Sequence, residues 1–268
     1  MPALAALPVL EVDSLGNSQI GLQNIPMSYL QGDYPDNSLA DSEFGFRLYG
    51  FTRGFDWALN YLDSWDDIPA LEQQVFSDSL INFQTYYRTQ MLGLNFSRPV
   101  LSGVLRGEGG YYQGKRFTQV LEKAPAEMLP NQPVVKMVPV EKPYLQYMVG
   151  WDQNWKTWLN LSGQYIEQRI LDYEASIQNE EVNRMVSLLL RGSFMNETLS
   201  YQVLALANLE YEDALVRYVV DYDFADGLSL ILGVDVLKSG KTGTSFRQFD
   251  FGRFDRNDNI YLKAQYSF

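Results

Sequence analysis

The sequence predicts an all-β fold, an antiparallel transmembrane β-barrel with eleven or twelve strands in view, and three observations predict it. Segments of about ten residues alternate apolar and polar side chains with a period of two, the pattern of strands with one apolar and one polar face. Short turns and long polar connections take turns between these segments. Aromatic residues, 14% of the 268-residue chain and led by 18 Tyr, gather near the short-turn ends of the apolar stripes.

Residues 1–41 read as an irregular N-terminal segment and residues 42–268 as the strand-bearing body. The first strand pair covers Phe44 to Thr52 and Phe55 to Trp65. Phe44, Phe46 and Leu48 share one face, and Trp57, Leu59 and Tyr61 alternate with Asp56, Ala58 and Asn60. The second pair spans Tyr86 to Ser97 and Val104 to Gln113, with Leu92, Leu94 and Phe96 on the apolar side. The third is Tyr144 to Asp152 with Thr157 to Glu167, carrying Leu145, Tyr147, Val149 and Trp151 beside Leu159, Leu161 and Tyr165. The fourth is Arg184 to Phe194 with Leu199 to Leu209, where Val186, Leu188 and Leu190 oppose Ser187 and Arg191. The fifth is Leu215 to Phe224 with Leu228 to Leu237, joined by Ala225-Asp226-Gly227. One more strand closes the sequence, where Ile260, Leu262, Ala264, Tyr266 and Phe268 alternate with Tyr261, Lys263, Gln265 and Ser267.

Turns at 53–54, 97–103, 153–156, 195–198 and 225–227 are short, whereas 66–85, 114–143, 168–183 and 238–257 are long and polar. Only the short link near Glu210-Tyr211-Glu212-Asp213 departs from this order. A count of eleven is odd, and bacterial single-chain barrels have an even number of strands. Either residues 2–12, with Leu4, Leu7, Val9 and Leu10, supply a twelfth, or the segments belong to a larger barrel.

A soluble β-sandwich also alternates apolar and polar positions. Segment length weighs against it, because soluble strands run to about five or six residues. So do Trp57, Phe96, Trp151, Phe194, Tyr201, Tyr222, Phe224 and Phe268, which cluster at one level as an interfacial girdle does instead of scattering through a core. Mean hydropathy is -0.22, and no apolar run is long enough for a spanning helix.

Composition removes whole classes of chemistry. The chain has no Cys and no His, which excludes disulfides, thiolate metal sites and His-dependent hydrolytic triads. No cofactor is expected. A net charge of -12 makes a poor nucleic-acid binder. Met1-Pro2-Ala3-Leu4-Ala5-Ala6-Leu7-Pro8 lacks the basic start of a secretory signal, as expected of a chain whose signal has been removed or that begins part-way into a longer protein.

The ending Asn259-Ile260-Tyr261-Leu262-Lys263-Ala264-Gln265-Tyr266-Ser267-Phe268 resembles the terminal strand of bacterial outer-membrane proteins, with a final Phe and apolar residues in phase before it. The resemblance implies that Ile260, Leu262, Ala264, Tyr266 and Phe268 form a signal for the barrel-assembly machinery. Ser42-Glu43-Phe44-Gly45-Phe46-Arg47-Leu48, Trp65-Asp66-Asp67-Ile68-Pro69 and Phe249-Asp250-Phe251-Gly252-Arg253-Phe254 are similar to segments of large, poorly characterised porin-like proteins of proteobacteria. That likeness spans roughly residues 33 to 268 and has no chemically diagnostic motif. Those proteins are longer at the N-terminus, which implies that this chain corresponds to their C-terminal portion.

If the apolar stripes face lipid, the opposite faces line a lumen. Its ionisable side chains are then Glu43, Arg47, Asp56, Arg106, Glu108, Asp152, Arg191, Arg217, Asp221, Asp223, Asp235 and Lys263. Both signs occur, as suits a charge-filtering pore or an interior network of ion pairs. Asp221 and Asp223 lie beside Arg217, which argues against a glycosidase pair with one raised pKa. Asp63, Asp66 and Asp67, and Asp250, Asp255 and Asp258, lack the spacing of an EF-hand calcium loop. Gly240-Lys241-Thr242 matches only the end of a phosphate-binding loop, since Asp235 stands where its first Gly belongs. The expectation is a non-enzymatic, porin-like channel of the bacterial outer membrane. Its partners are lipid, the assembly machinery, small polar solutes and, as a further candidate, a second copy of the chain. A non-conducting barrel acting as anchor or receptor is the alternative, and a soluble periplasmic sandwich the third reading.

Overall fold

The computed structural model describes residues 3–12, 18–31, 35–36, 38–75, 80–122, 135–156, 158–240 and 251–267. Among them the fold is all-β, with one short 3-10 turn at Phe251–Phe254 and no helix long and apolar enough to cross a membrane. In chain order the strands are β1 (Ala3–Val12), β2 (Ser18–Gln31), β3 (Phe44–Thr52), β4 (Phe55–Trp65), β5 (Ala70–Val75) and β6 (Leu80–Thr85). There follow β7 (Arg88–Val100), β8 (Gly103–Gln113), β9 (Arg116–Glu122), β10 (Val135–Glu141), β11 (Tyr144–Trp155) and β12 (Leu159–Ile170). The last five are β13 (Val182–Phe194), β14 (Leu199–Asn208), β15 (Asp213–Ala225), β16 (Leu228–Lys238) and β17 (Asn259–Tyr266).

Two sheets hold them. The larger has eleven strands in the order β17-β16-β15-β14-β13-β12-β11-β8-β7-β4-β3, antiparallel throughout. These are the eleven segments that alternation identifies. Among the described residues the sheet does not close: β3 and β17 are its edges, each paired on one side. Its short turns lie on one rim, except the 209–212 link between β14 and β15, which lies on the other. The β3–β4 turn uses Arg53 and Gly54 with φ of 52° and 77°, the left-handed pair of a type I′ hairpin.

The second sheet, β1-β2-β6-β5-β10-β9, corrects the expectation of polar loops at 66–85 and 114–143 and of an irregular N-terminus. Residues 70–75 and 80–85 continue the β4/β7 hairpin past the long-connection rim, and 116–122 and 135–141 continue β8/β11 in the same way. The two extensions then pair through β5 and β10, Val135 opposite Val75. Residues 3–12 are a strand, but it pairs with β2 from Ala3 opposite Met27 to Val12 opposite Ser18, so it is no twelfth member of the large sheet. β2 in turn runs parallel to β6. Pro139 sits in β10 beyond the three residues paired to β5, where its missing N–H does not interrupt that ladder.

The buried apolar core is small and lies where the two tiers meet. Phe117, Ile170 and Ile177 are enclosed, with Val140, Tyr144 and Tyr173 against them. The connection 171–181 docks on β9 through Val120 N–H to Ser176 O (2.9 Å) and Gln178 N–H to Thr118 O (2.9 Å).

Candidate functional site

Register decides which side chains share a face, because directly paired residues point the same way. From β3 to β17 one face collects Phe46, Tyr61, Leu92, Tyr111, Leu145 and, through Val186, Ala207 and Ala214, the stripes of the last three strands. This apolar face runs unbroken across all eleven strands, and none of the described residues covers it. Phe46 is 64% exposed, Leu92 60%, Leu188 43%, Leu232 47% and Leu262 71%.

Near the short-turn rim the apolar face is ringed by aromatics. Trp57 lies over Gly50, Phe96 over Gly107, Trp151 over Gly103 and Tyr201 over Gly192. A Cβ on Gly107 would fall 2.3 Å from the Phe96 ring, so glycine there is a condition of the ring's position. Phe194 stacks on Tyr201 at 5.4 Å, and Tyr222 meets Phe224 edge-on at 5.0 Å. A second aromatic group stands nearer the other rim: Phe44 and Phe46 on Tyr61, and Tyr147 against Tyr165 at 6.3 Å. Sequence reading missed it, since tyrosines in mid-strand carry no turn to mark their level. Beyond this group the same face becomes charged. Arg88 pairs with Asp63, Arg169 with Glu167 (2.9 Å) and Arg184 with Glu210 (2.5 Å).

The opposite face is the candidate site. By register Arg47, Asp56, Arg106, Glu108, Asp152, Arg191, Arg217, Asp221, Asp223, Asp235 and Lys263 all lie on it. Some of them meet. Arg106 pairs with Asp152, its Nη2 donating to Oδ1 at 3.0 Å and its Nε 2.6 Å from Oδ2 without a hydrogen bond. Arg217 holds Asp235 at two points, donating from Nε at 2.6 Å and from Nη2 at 3.0 Å. Both pairs are partly solvated, so each stabilises by about 1 kcal/mol at most. Lys263 Nζ donates to Gln265 Oε1 at 2.9 Å, and Arg47 lies over the Tyr49 ring. Glu43 departs from the pore-lining expectation. It precedes β3, and its carboxylate accepts the Trp65 backbone N–H at 2.8 Å, so it fastens the start of the first hairpin.

Neutral amides make up much of the rest. Asn60 donates to Asn95 at 2.6 Å and Asn183 to Gln168 at 3.1 Å. An open groove of about 480 Å³ runs over Asn60, Asn95, Arg106, Glu108, Tyr112, Gln146 and Gln164. A second, of about 490 Å³, is bordered by Arg47, Asp56, Arg106 and Glu108. The amides stand in the same alternating phase as the charges, which is the signal that finds them. Asp213, also on this face, is enclosed at the long-connection end of β15.

The acidic connections are engaged structurally. Asp66 pairs with Lys115 (2.6 Å), while Asp255 and Asp258 accept the Ser239 and Leu237 backbone N–H groups at 2.8 Å. Among the described residues no group of three Asp or Glu is arranged to hold a metal ion. Beside β9, Lys142 binds Glu174 and holds its carboxyl below the ordinary range, while burial pushes the Tyr173 phenol up. Lys241, Thr242, Asp250 and Phe268 lie outside the described residues.

Comparison with known proteins adds no relative: no family model matches the chain, and no curated protein matches it in sequence.

Proposed function

We propose that the large sheet is the wall of a porin-like channel in the bacterial outer membrane, passing small polar solutes by size and charge without turnover chemistry. The observation that carries this reading is the uncovered apolar face backed by a polar one across eleven strands. Water does not sustain an exposed apolar surface of that extent, whereas lipid does. Three features support it. The strands are 8 to 13 residues long, the range a tilted membrane strand needs. Aromatics border the apolar band towards both rims, with ion pairs beyond it on the long-connection side. The small sheet does not cover the apolar face, which argues against a sandwich. Lipid tolerates no open edge, so the reading requires β3 and β17 to be paired in the membrane.

On the polar face the seven carboxylates Asp56, Glu108, Asp152, Asp213, Asp221, Asp223 and Asp235 stand against five basic side chains, which favours cations. The test is a planar bilayer holding protein extracted from outer membranes, after a gel confirms that mobility shifts on heating. Cation-selective conductance, reduced in Glu108→Gln, is expected. A protein found only in the soluble fraction with no heat shift ends the membrane reading. Phe268→Ala is expected to lower the amount assembled in the membrane and leave conductance per channel unchanged, as a terminal assembly signal requires. The runner-up, a non-conducting anchor or receptor, is favoured by the ordered small sheet standing on the long-connection rim. A heat-shifting protein without conductance would select it.

A further inference from the structure

Arg191 and Asp221 are charges of opposite sign that line one cavity of the polar face. Arg106 and Arg217 each pair with a carboxylate, but the side chains of Arg191 and Asp221, like those of Glu108 and Asp223, have no hydrogen-bond or ion-pair partner among the described residues. Arg191 is on β13 opposite Gln202, while Asp221 is on β15 opposite Ser200, which faces Ser193. The two charges are thus two strands and two positions apart, roughly 12 Å between Cα atoms at ordinary strand spacings. Between them an open cavity of about 390 Å³ has Asn160, Arg191, Ser193, Ser200, Gln202 and Asp221 as its polar lining. Asp221 Oδ1 is shielded from solvent and accepts no hydrogen bond. A carboxylate oxygen in that state carries a desolvation cost that a bound donor would remove.

We propose that this cavity is a binding subsite for a small zwitterion, a solute carrying one carboxylate and one ammonium group. The Arg191 guanidinium presents a planar fork of donors that matches a carboxylate. Asp221 is an acceptor only, and an ammonium offers three donors. The hydroxyls and amides between them serve the middle of the solute, donating and accepting. A simple anion would meet the Asp221 charge, and a simple cation that of Arg191, so the pair selects for both charges together. The subsite lies towards the short-turn rim, since β13 ends at Phe194 and β15 at Ala225. It rests on the channel reading, which brings solutes to this face.

The test is calorimetric titration of the detergent-extracted protein with glycylglycine, and with erythritol as a neutral solute. Saturable glycylglycine binding is expected, weakened by roughly tenfold or more in Arg191→Gln and in Asp221→Asn. Erythritol should not bind. Equal binding of the two solutes, no glycylglycine binding, or glycylglycine binding unchanged in both variants would overturn the subsite. The heat-shift gel establishes that each variant is folded. Bilayer conductance of the same preparations separates the two readings. A conducting protein that ignores glycylglycine sinks the subsite alone, and a non-conducting protein that binds it sinks the channel and keeps the subsite.

Discussion

The large sheet and the small sheet are both antiparallel over most of their pairings, yet different causes produce them. Strands of the large sheet alternate along their whole length, and each pairs with its neighbours in the chain apart from the two interruptions at β5–β6 and β9–β10. Strands β5, β6, β9 and β10 are six or seven residues long, and β5 carries the polar run Glu72-Gln73-Gln74. Their own pattern does not ask for a sheet. They form one because a hairpin already zipped below the rim keeps two backbones adjacent and in register, and their polar groups need partners. Pro69, Gly114 and Pro143 stand at the breaks between tiers, and the Lys115–Asp66 pair ties one break to the other. Side-chain alternation makes the lower tier, and backbone continuity makes the upper.

Breaking the lower tier should have the largest effect. Leu230 lies on the apolar face, paired with Tyr222 and Ala264, while its neighbour Ile231 lies on the polar face beside Asp221 and Lys263. Leu230→Arg is expected to lower stability in lipid vesicles by about 2–4 kcal/mol, since it puts a charge into the apolar band. Ile231→Arg should cost much less, as read from the fraction that keeps heat-shifted mobility after urea. Equal losses would overturn the assignment of faces. Next come two glycines of one strand. Gly107→Ala drives a methyl into the Phe96 ring and should cost about 1–3 kcal/mol. Gly109→Ala finds its nearest atom, Tyr147 Cβ, at an ordinary 3.4 Å and should change stability by about 0.5 kcal/mol or less. Tryptophan emission through a urea titration measures both.

The upper tier should respond locally. Lys142→Ala removes the partner of Glu174 and is expected to speed amide exchange at Val120 and Gln178. The amides of Leu188 and Ala205 in the large sheet should be unaffected. Acid should act in the same place. Glu174 is held below its ordinary pKa when docked, so its contribution is present above the free carboxyl's value, about 4.3, and fades as pH falls through the lower docked value. Exchange at Gln178 is therefore expected to rise selectively below about pH 4. A uniform rise across both tiers would mean that they unfold as one unit.

Much of the candidate site was legible. Arg106, Asp152, Arg217 and Asp235 fall in the polar phase of their strands, so their common face follows from alternation alone. That Arg106 meets Asp152 and Arg217 meets Asp235 does not follow, because cross-strand pairing depends on register and on which strands are neighbours. Arg106 and Asp152 are adjacent only because β9 and β10 leave the large sheet and let β8 pair with β11. Glu43 looked like one more lumenal charge. Its bond to the Trp65 N–H depends on where β3 begins relative to where β4 ends.

By itself the sequence determined the eleven alternating strands, their boundaries to within a few residues, and the two faces of the sheet they form. Those are local properties: a period of two and a turn fix them wherever the strand ends up. Only the tertiary structure decided that residues 3–12 pair outside the large sheet, that the long connections fold into a second sheet, and that Arg191 and Asp221 share a cavity without touching. The physical reason is the same in each case. Those outcomes depend on which distant backbones come within hydrogen-bonding reach, and no periodicity within one segment encodes the identity of its neighbour.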